Sequence, residues 1–165
     1  MGDKINYSVE IELFKSINEL DEEVQKIMEI AQKARLKAHA PYSNFLVGAA
    51  LLLENSQIIS GNNQENSAYP SGLCAERTAI FYTHSKFPKQ KILKMAICAG
   101  SKSKDANKPI PPCGSCRQAL VEYEKLQNSP IELYFMGTKG EIAYSKSVEN
   151  ILPLVFDNKY LWIFN

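Results

Sequence analysis

Long apolar runs are missing from this 165-residue sequence; no stretch approaches the roughly 20 residues that a membrane-spanning helix needs. The first ten residues alternate charged and apolar side chains, with no continuous apolar core of the kind a secretory leader carries. Surplus charge is lacking too. Lys and Arg total 19 against 18 Asp and Glu, a net charge of +1, which argues against an obligate nucleic-acid partner. Only 4 cysteines are present, and a chain with 45% hydrophobic residues can bury a core without disulfide staples. These shortages predict a single-domain, soluble, cytoplasmic protein whose thiols stay reduced. Internal repeats and low-complexity segments are absent.

Regular elements can be placed by periodicity. From Asn18 onward, Val24, Ile27, Met28, Ala31, Ala34 and Ala38 recur at helical spacing, with acidic residues gathered at the positive end of the helix, which should stop before Pro41. Residues 45–53 and 58–59 predict a pair of strands after the turn-like Pro41-Tyr42-Ser43-Asn44. Residues 61–72 read as a loop running into a helix over 74–82, and 92–98 as a buried strand. Pro111-Pro112 delays the next helix until about Cys113, and it continues to Leu126. Strands over 131–135 and 141–144 complete a pattern that supports a layered α/β domain.

The chemistry concentrates in Cys74-Ala75-Glu76 and Pro112-Cys113-Gly114-Ser115-Cys116. Two cysteines separated by two residues can converge on one ion, and thiolates select zinc among the common metals. Cys74 supplies a third sulfur from another helix start, which leaves the fourth tetrahedral position open to water, as hydrolysis requires. Glu76, beside that position, is the expected carrier of protons. Arg77 can reach a ligand sulfur and offset the negative charge of three thiolates. Cys98 ends an apolar strand and is expected to be an inert core residue, while His39 and His84 lie far from the cysteines in sequence.

Taken with Tyr42-Ser43-Asn44-Phe45-Leu46-Val47-Gly48-Ala49-Ala50, Gly61-Asn62-Asn63-Gln64-Glu65-Asn66 and Cys113-Gly114-Ser115-Cys116-Arg117-Gln118, these motifs resemble the cytidine deaminase family, in its small three-cysteine nucleoside-acting branch. The resemblance implies a three-layer α/β fold, a central mixed five-stranded sheet flanked by helices. It implies Zn²⁺ on Cys74, Cys113 and Cys116, catalysis by Glu76, and hydrolytic deamination of cytidine and deoxycytidine in pyrimidine salvage. Asn63 and Glu65 would bind the ribose hydroxyls, Phe45 would line the base pocket, and backbone groups around Ser71 and Ala75 would orient the base. Phe156 would reach a neighbouring subunit's site in a homotetramer, with a homodimer as the alternative assembly.

Residues 19–156 would form the deaminase domain, between an N-terminal extension, 1–18, and a tail, 157–165. The sequence departs from the family pattern at Gly61-Asn62, where Gly-Cys is usual, and at Leu154-Val155-Phe156, where small residues usually precede the aromatic. Two other readings are a deaminase of polynucleotides, which should show a basic channel with stacking aromatics, and a noncatalytic zinc-stabilised interaction domain, which should show a fourth protein ligand.

Overall fold

Strand β2 (Phe45–Leu53) sends its side chains alternately into two apolar layers, and the whole architecture follows from that division. Ala49, Leu51 and Leu53 enter one layer, Ala50 and Leu52 the other. The computed structural model describes residues 2–161. It consists of β1 (Glu12–Phe14), α1 (Glu22–Arg35), β2, β3 (Ile58–Asn62), α2 (Ala75–Lys86), β4 (Ile92–Ser101), α3 (Gly114–Leu126), β5 (Glu132–Met136) and β6 (Ile142–Ser145). The strands form one mixed sheet in the order β1-β6-β5-β4-β2-β3, in which only β4 and β5 pair in parallel.

Helix α1 covers one face, packing Val24, Ile27, Met28 and Ala31 against Ala50, Leu52, Ala96, Cys98 and Met136. Helices α2 and α3 cover the other through Ala79, Ile80, Leu120 and Val121 against Leu51, Met95, Ile97 and Leu133. Each fully buried Leu, Ile or Met stabilises the fold by about 1.5–3 kcal/mol. Two glycines set the helix-to-sheet spacing. A Cβ on Gly48 would meet the Ala31 carbonyl oxygen at 2.1 Å, and one on Gly61 would meet the Ala79 backbone nitrogen at 2.7 Å. The backbones of α1 and α2 therefore lie directly on the sheet at these points.

The layered α/β class is as the sequence implies, but the sheet has six strands where five were expected. The sixth is β1, from the N-terminal extension, which pairs antiparallel with β6 through Glu12–Tyr144, Leu13–Ala143 and Phe14–Ile142. Asn150 fastens the segment before it, donating from Nδ2 to the Glu10 carbonyl at 2.7 Å. Helix α1 begins at Glu22 rather than near Asn18, because residues Ile17–Glu19 form a separate 3₁₀ turn and Asp21 caps the helix in extended conformation. Among the described residues, no helix is long and apolar enough to cross a membrane. Trp162, Ile163 and Phe164 of the expected apolar tail, and Met1 of the extension, lie outside the described residues.

Candidate active site

Cys74 is the N-cap residue of α2 and Cys113 that of α3. Cys116 lies in the first turn of α3. Helix starts present unpaired N–H groups and a positive dipole end, both of which favour thiolates. The Sγ atoms of Cys74 and Cys113 are 4.0 Å apart, those of Cys113 and Cys116 are 3.4 Å apart, and all three lie within 4.8 Å of one another. Sulfurs at about 2.3 Å from a tetrahedral ion stand about 3.8 Å from each other, so the trio fits such an ion with small adjustments. Cys113 is held in place from outside the motif: Arg117 Nε donates to the Pro112 carbonyl at 2.8 Å and Nη1 to the Ile151 carbonyl at 3.1 Å.

Arg77, one turn into α2, brings Nη2 to 3.7 Å from the Cys74 sulfur. The neighbouring Cys116 thiol, and after it the Arg77 guanidinium, hold the Cys74 thiol well below its ordinary pKa. Glu76 is buried, only 4% exposed. Burial pushes its carboxyl pKa up, and the Cys74 charge adds to the shift. A buried carboxyl group with raised proton affinity beside thiolates is suited to moving protons. Cys98 is elsewhere, buried under α1 and donating its thiol to the Gly137 carbonyl; neither it nor His39 or His84 belongs to the sulfur trio.

A cavity of about 700 Å³ opens beside the cluster, with Cys74, Glu76, Arg77 and Cys113 on its wall. Phe45, Asn63 and Glu65 line the same cavity, so the structure gathers these sequence-predicted residues around one space. Asn63 is buried, its amide bridging β2 by donating to the Phe45 carbonyl and accepting from the Val47 N–H. Glu65 accepts from the backbone N–H groups of Tyr42 and Ser43 and from the Ser43 hydroxyl.

The remaining predicted residues lie apart. Ser71 ends an exposed 3₁₀ turn, and Ala75 is buried behind the helix start; neither lines the cavity. Phe156 is 57% exposed, stacked on Tyr160, and outside this cavity. Sequence reading assigned no site role to Tyr42, Tyr69, Leu73, Ile97, Ala99, Ile110 and Pro111, which also line the wall. Ile97 and Ala99 were findable, since they continue the odd-numbered face of β4 past Met95. The rings of Tyr42 and Tyr69 meet edge to face, 6.0 Å apart, a pairing across separate loops that no local pattern announces.

Three converging sulfurs, two of them on the cavity wall beside a buried carboxyl group, are the donor set and proton carrier that a hydrolytic metal centre needs. The family profile described as "Cytidine and deoxycytidylate deaminase zinc-binding region" matches residues 21–128, from the start of α1 past the end of α3. A protein named cytidine deaminase from Sporosarcina psychrophila is 39% identical over 139 residues, 84% of this chain and 95% of that one. One of the same name from Halalkalibacterium halodurans is 37% identical over 132 residues, 80% of this chain and 92% of its own length. The crystal structure of cytidine deaminase from Burkholderia pseudomallei superimposes with a TM-score of 0.68 at 34% identity, covering 79% of this chain and 97% of that one. The chain belongs to the cytidine deaminase family and is an enzyme.

Proposed function

We propose that this chain hydrolyses cytidine and deoxycytidine to uridine and deoxyuridine with release of ammonia, as a cytoplasmic enzyme of pyrimidine salvage. The observation that carries the reading is the buried Glu76 carboxylate beside the Cys74 and Cys113 sulfurs on the wall of a nucleoside-sized cavity. Cys74, Cys113 and Cys116 would hold zinc, whose thiolate affinity and tetrahedral preference fit the trio. When bound, zinc serves as a Lewis acid that lowers the pKa of a water molecule.

The chain's own residues do the rest. Glu76 accepts a proton from the attacking water and delivers it to N3 of the base, which makes C4 more electrophilic. It then takes up the second proton of that water, from the oxygen now on C4, and passes it to the departing amine, so that C4 keeps the oxygen and ammonia leaves. Arg77 draws negative charge from the Cys74 sulfur. Phe45 packs on the pyrimidine, Asn63 and Glu65 engage the sugar hydroxyls, and backbone groups around Ser71 and Ala75 would orient the base and its amino group.

Among the described residues, Arg77 is the only Lys or Arg lining the cavity, and its charge is turned to Cys74, which leaves no cation there to track a phosphate backbone. This favours a free nucleoside over a polynucleotide. The exposed Phe81, Leu154 and Phe156 are consistent with a homotetramer in which Phe156 reaches a neighbouring cavity. Residues 19–156 constitute the deaminase domain on this reading.

Incubating zinc-loaded protein with cytidine, deoxycytidine, cytosine, cytidine monophosphate and single-stranded nucleic acid, while following ammonia release, tests the proposal. Turnover of the two nucleosides supports it. Bound zinc without conversion of either nucleoside overturns it and leaves the noncatalytic reading, whereas turnover of the polymer alone selects the editing reading.

A further inference from the structure

Ser43 joins two walls of the cavity through one hydroxyl. Its Oγ donates to Oε1 of Glu65 and accepts the Phe45 backbone N–H at 3.0 Å. The Tyr42 and Ser43 backbone N–H groups reach Oε2 at 2.9 and 3.3 Å. The Ser43 hydroxyl foremost, and the Tyr42 N–H after it, hold the Glu65 carboxyl below its ordinary pKa. An ionised carboxylate has about four acceptor positions. The three donors leave one, on Oε1.

The turn carrying Ser43 is fixed on both sides. Asn44 has a left-handed φ of 53°, which asparagine tolerates, its N–H donates to the Ala40 carbonyl at 3.1 Å, and its carbonyl accepts from the Lys102 N–H at 2.8 Å. The carbonyl of Phe45 accepts from Asn63 Nδ2 at 2.9 Å, so both backbone polar groups at Phe45 are anchored to residues of the cavity. Removing the Ser43 hydroxyl would free Oε1 and release the Phe45 N–H without altering the charge of Glu65.

We propose that Ser43 is a positioning residue that sets the orientation of the Glu65 carboxylate relative to Phe45, and so registers recognition of a sugar hydroxyl with recognition of the base. The inference rests on Glu65 as the sugar ligand and Phe45 as the base wall. It assigns Ser43 no contact with the reacting atoms. Its loss should therefore weaken the complex with a hydroxylated sugar and spare the chemical step.

Steady-state kinetics on cytidine and 2′,3′-dideoxycytidine, with wild type, Ser43→Ala, Ser43→Thr and Glu65→Gln, test it. Because a hydrogen bond to a charged group is lost, Ser43→Ala should raise KM for cytidine by about tenfold, with kcat within about twofold of wild type. The dideoxy analogue should show a much smaller KM change, and Ser43→Thr, which keeps the hydroxyl, should recover most of the cytidine KM. An unchanged cytidine KM in Ser43→Ala, or equal increases for both nucleosides, overturns the role of Ser43 alone. A wild type inactive on cytidine, or a Glu65→Gln enzyme that discriminates the two nucleosides as well as wild type does, overturns the underlying reading instead.

Discussion

Arg77 Nη2 stands 3.7 Å from Cys74 Sγ, one helical turn away on α2, while Arg77 Nε is buried without a hydrogen-bond partner among the described residues. On the proposed reading, the sulfur is what keeps the guanidinium in so incomplete a setting. Replacing it with alanine should weaken zinc retention about 10–100-fold, the usual effect of losing a group that supports a metal ligand. Chelator competition measures this; an unchanged affinity would reduce Arg77 to a packing residue.

Glu76→Gln preserves size and most packing but removes the group able to accept a proton. Zinc content and melting temperature should stay close to wild type while kcat falls about 10²–10⁴-fold, the range for a lost general acid–base. Single-turnover rates and metal analysis on the same preparation check both halves. Comparable turnover in the variant would transfer the proton role to another residue.

Gly61 lets α2 rest on β3. A methyl group there would lie 2.7 Å from the Ala79 nitrogen and 2.9 Å from the Ala75 carbonyl oxygen, both backbone atoms that cannot swing aside. Gly61→Ala should cost about 1–3 kcal/mol, as overpacking does, and should also reduce zinc retention, because the start of α2 carries Cys74. Urea denaturation paired with zinc titration measures the two effects; loss of stability with full zinc affinity would show that the helix yields elsewhere.

Cys98 gives a pH dependence. Burial raises its pKa from 9.0 to about 11, so the unfolded chain releases this proton first as pH rises. The corresponding stability is complete below about pH 9 and is lost between about pH 9 and about pH 11. Urea denaturation of wild type and Cys98→Ala over that window isolates the contribution: the wild-type curve should fall more steeply. Parallel curves would mean that the thiol ionises equally in both states.

Much of this layout was legible because the periods are unambiguous. Alternation in 131–135 and the three- and four-residue spacing from Val24 to Ala34 report burial on one side, and the structure bears out both elements. Strand β1 escaped for the opposite reason. The alternation of Ile5, Tyr7, Val9, Ile11 and Leu13 is present in the sequence, but all five are exposed, and what makes Glu12–Phe14 a strand is pairing with a partner about 130 residues away. The cysteines and Glu76 were visible through their spacing. Tyr42, Tyr69 and Ile110 join the cavity only through the meeting of loops, which no local signal encodes.

The alternation of β2 and β4 has a practical consequence. Phe45, Val47, Ile97 and Ala99, which line the cavity, share the odd-numbered face with the α2 and α3 layer, so the outer surface of α1 is separated from the chemistry by the thickness of the sheet. Glu29 and Lys33, exposed and paired on that helix, are therefore suitable anchors for immobilisation or for a fluorescent label, where a tether would leave the mouth of the cavity clear.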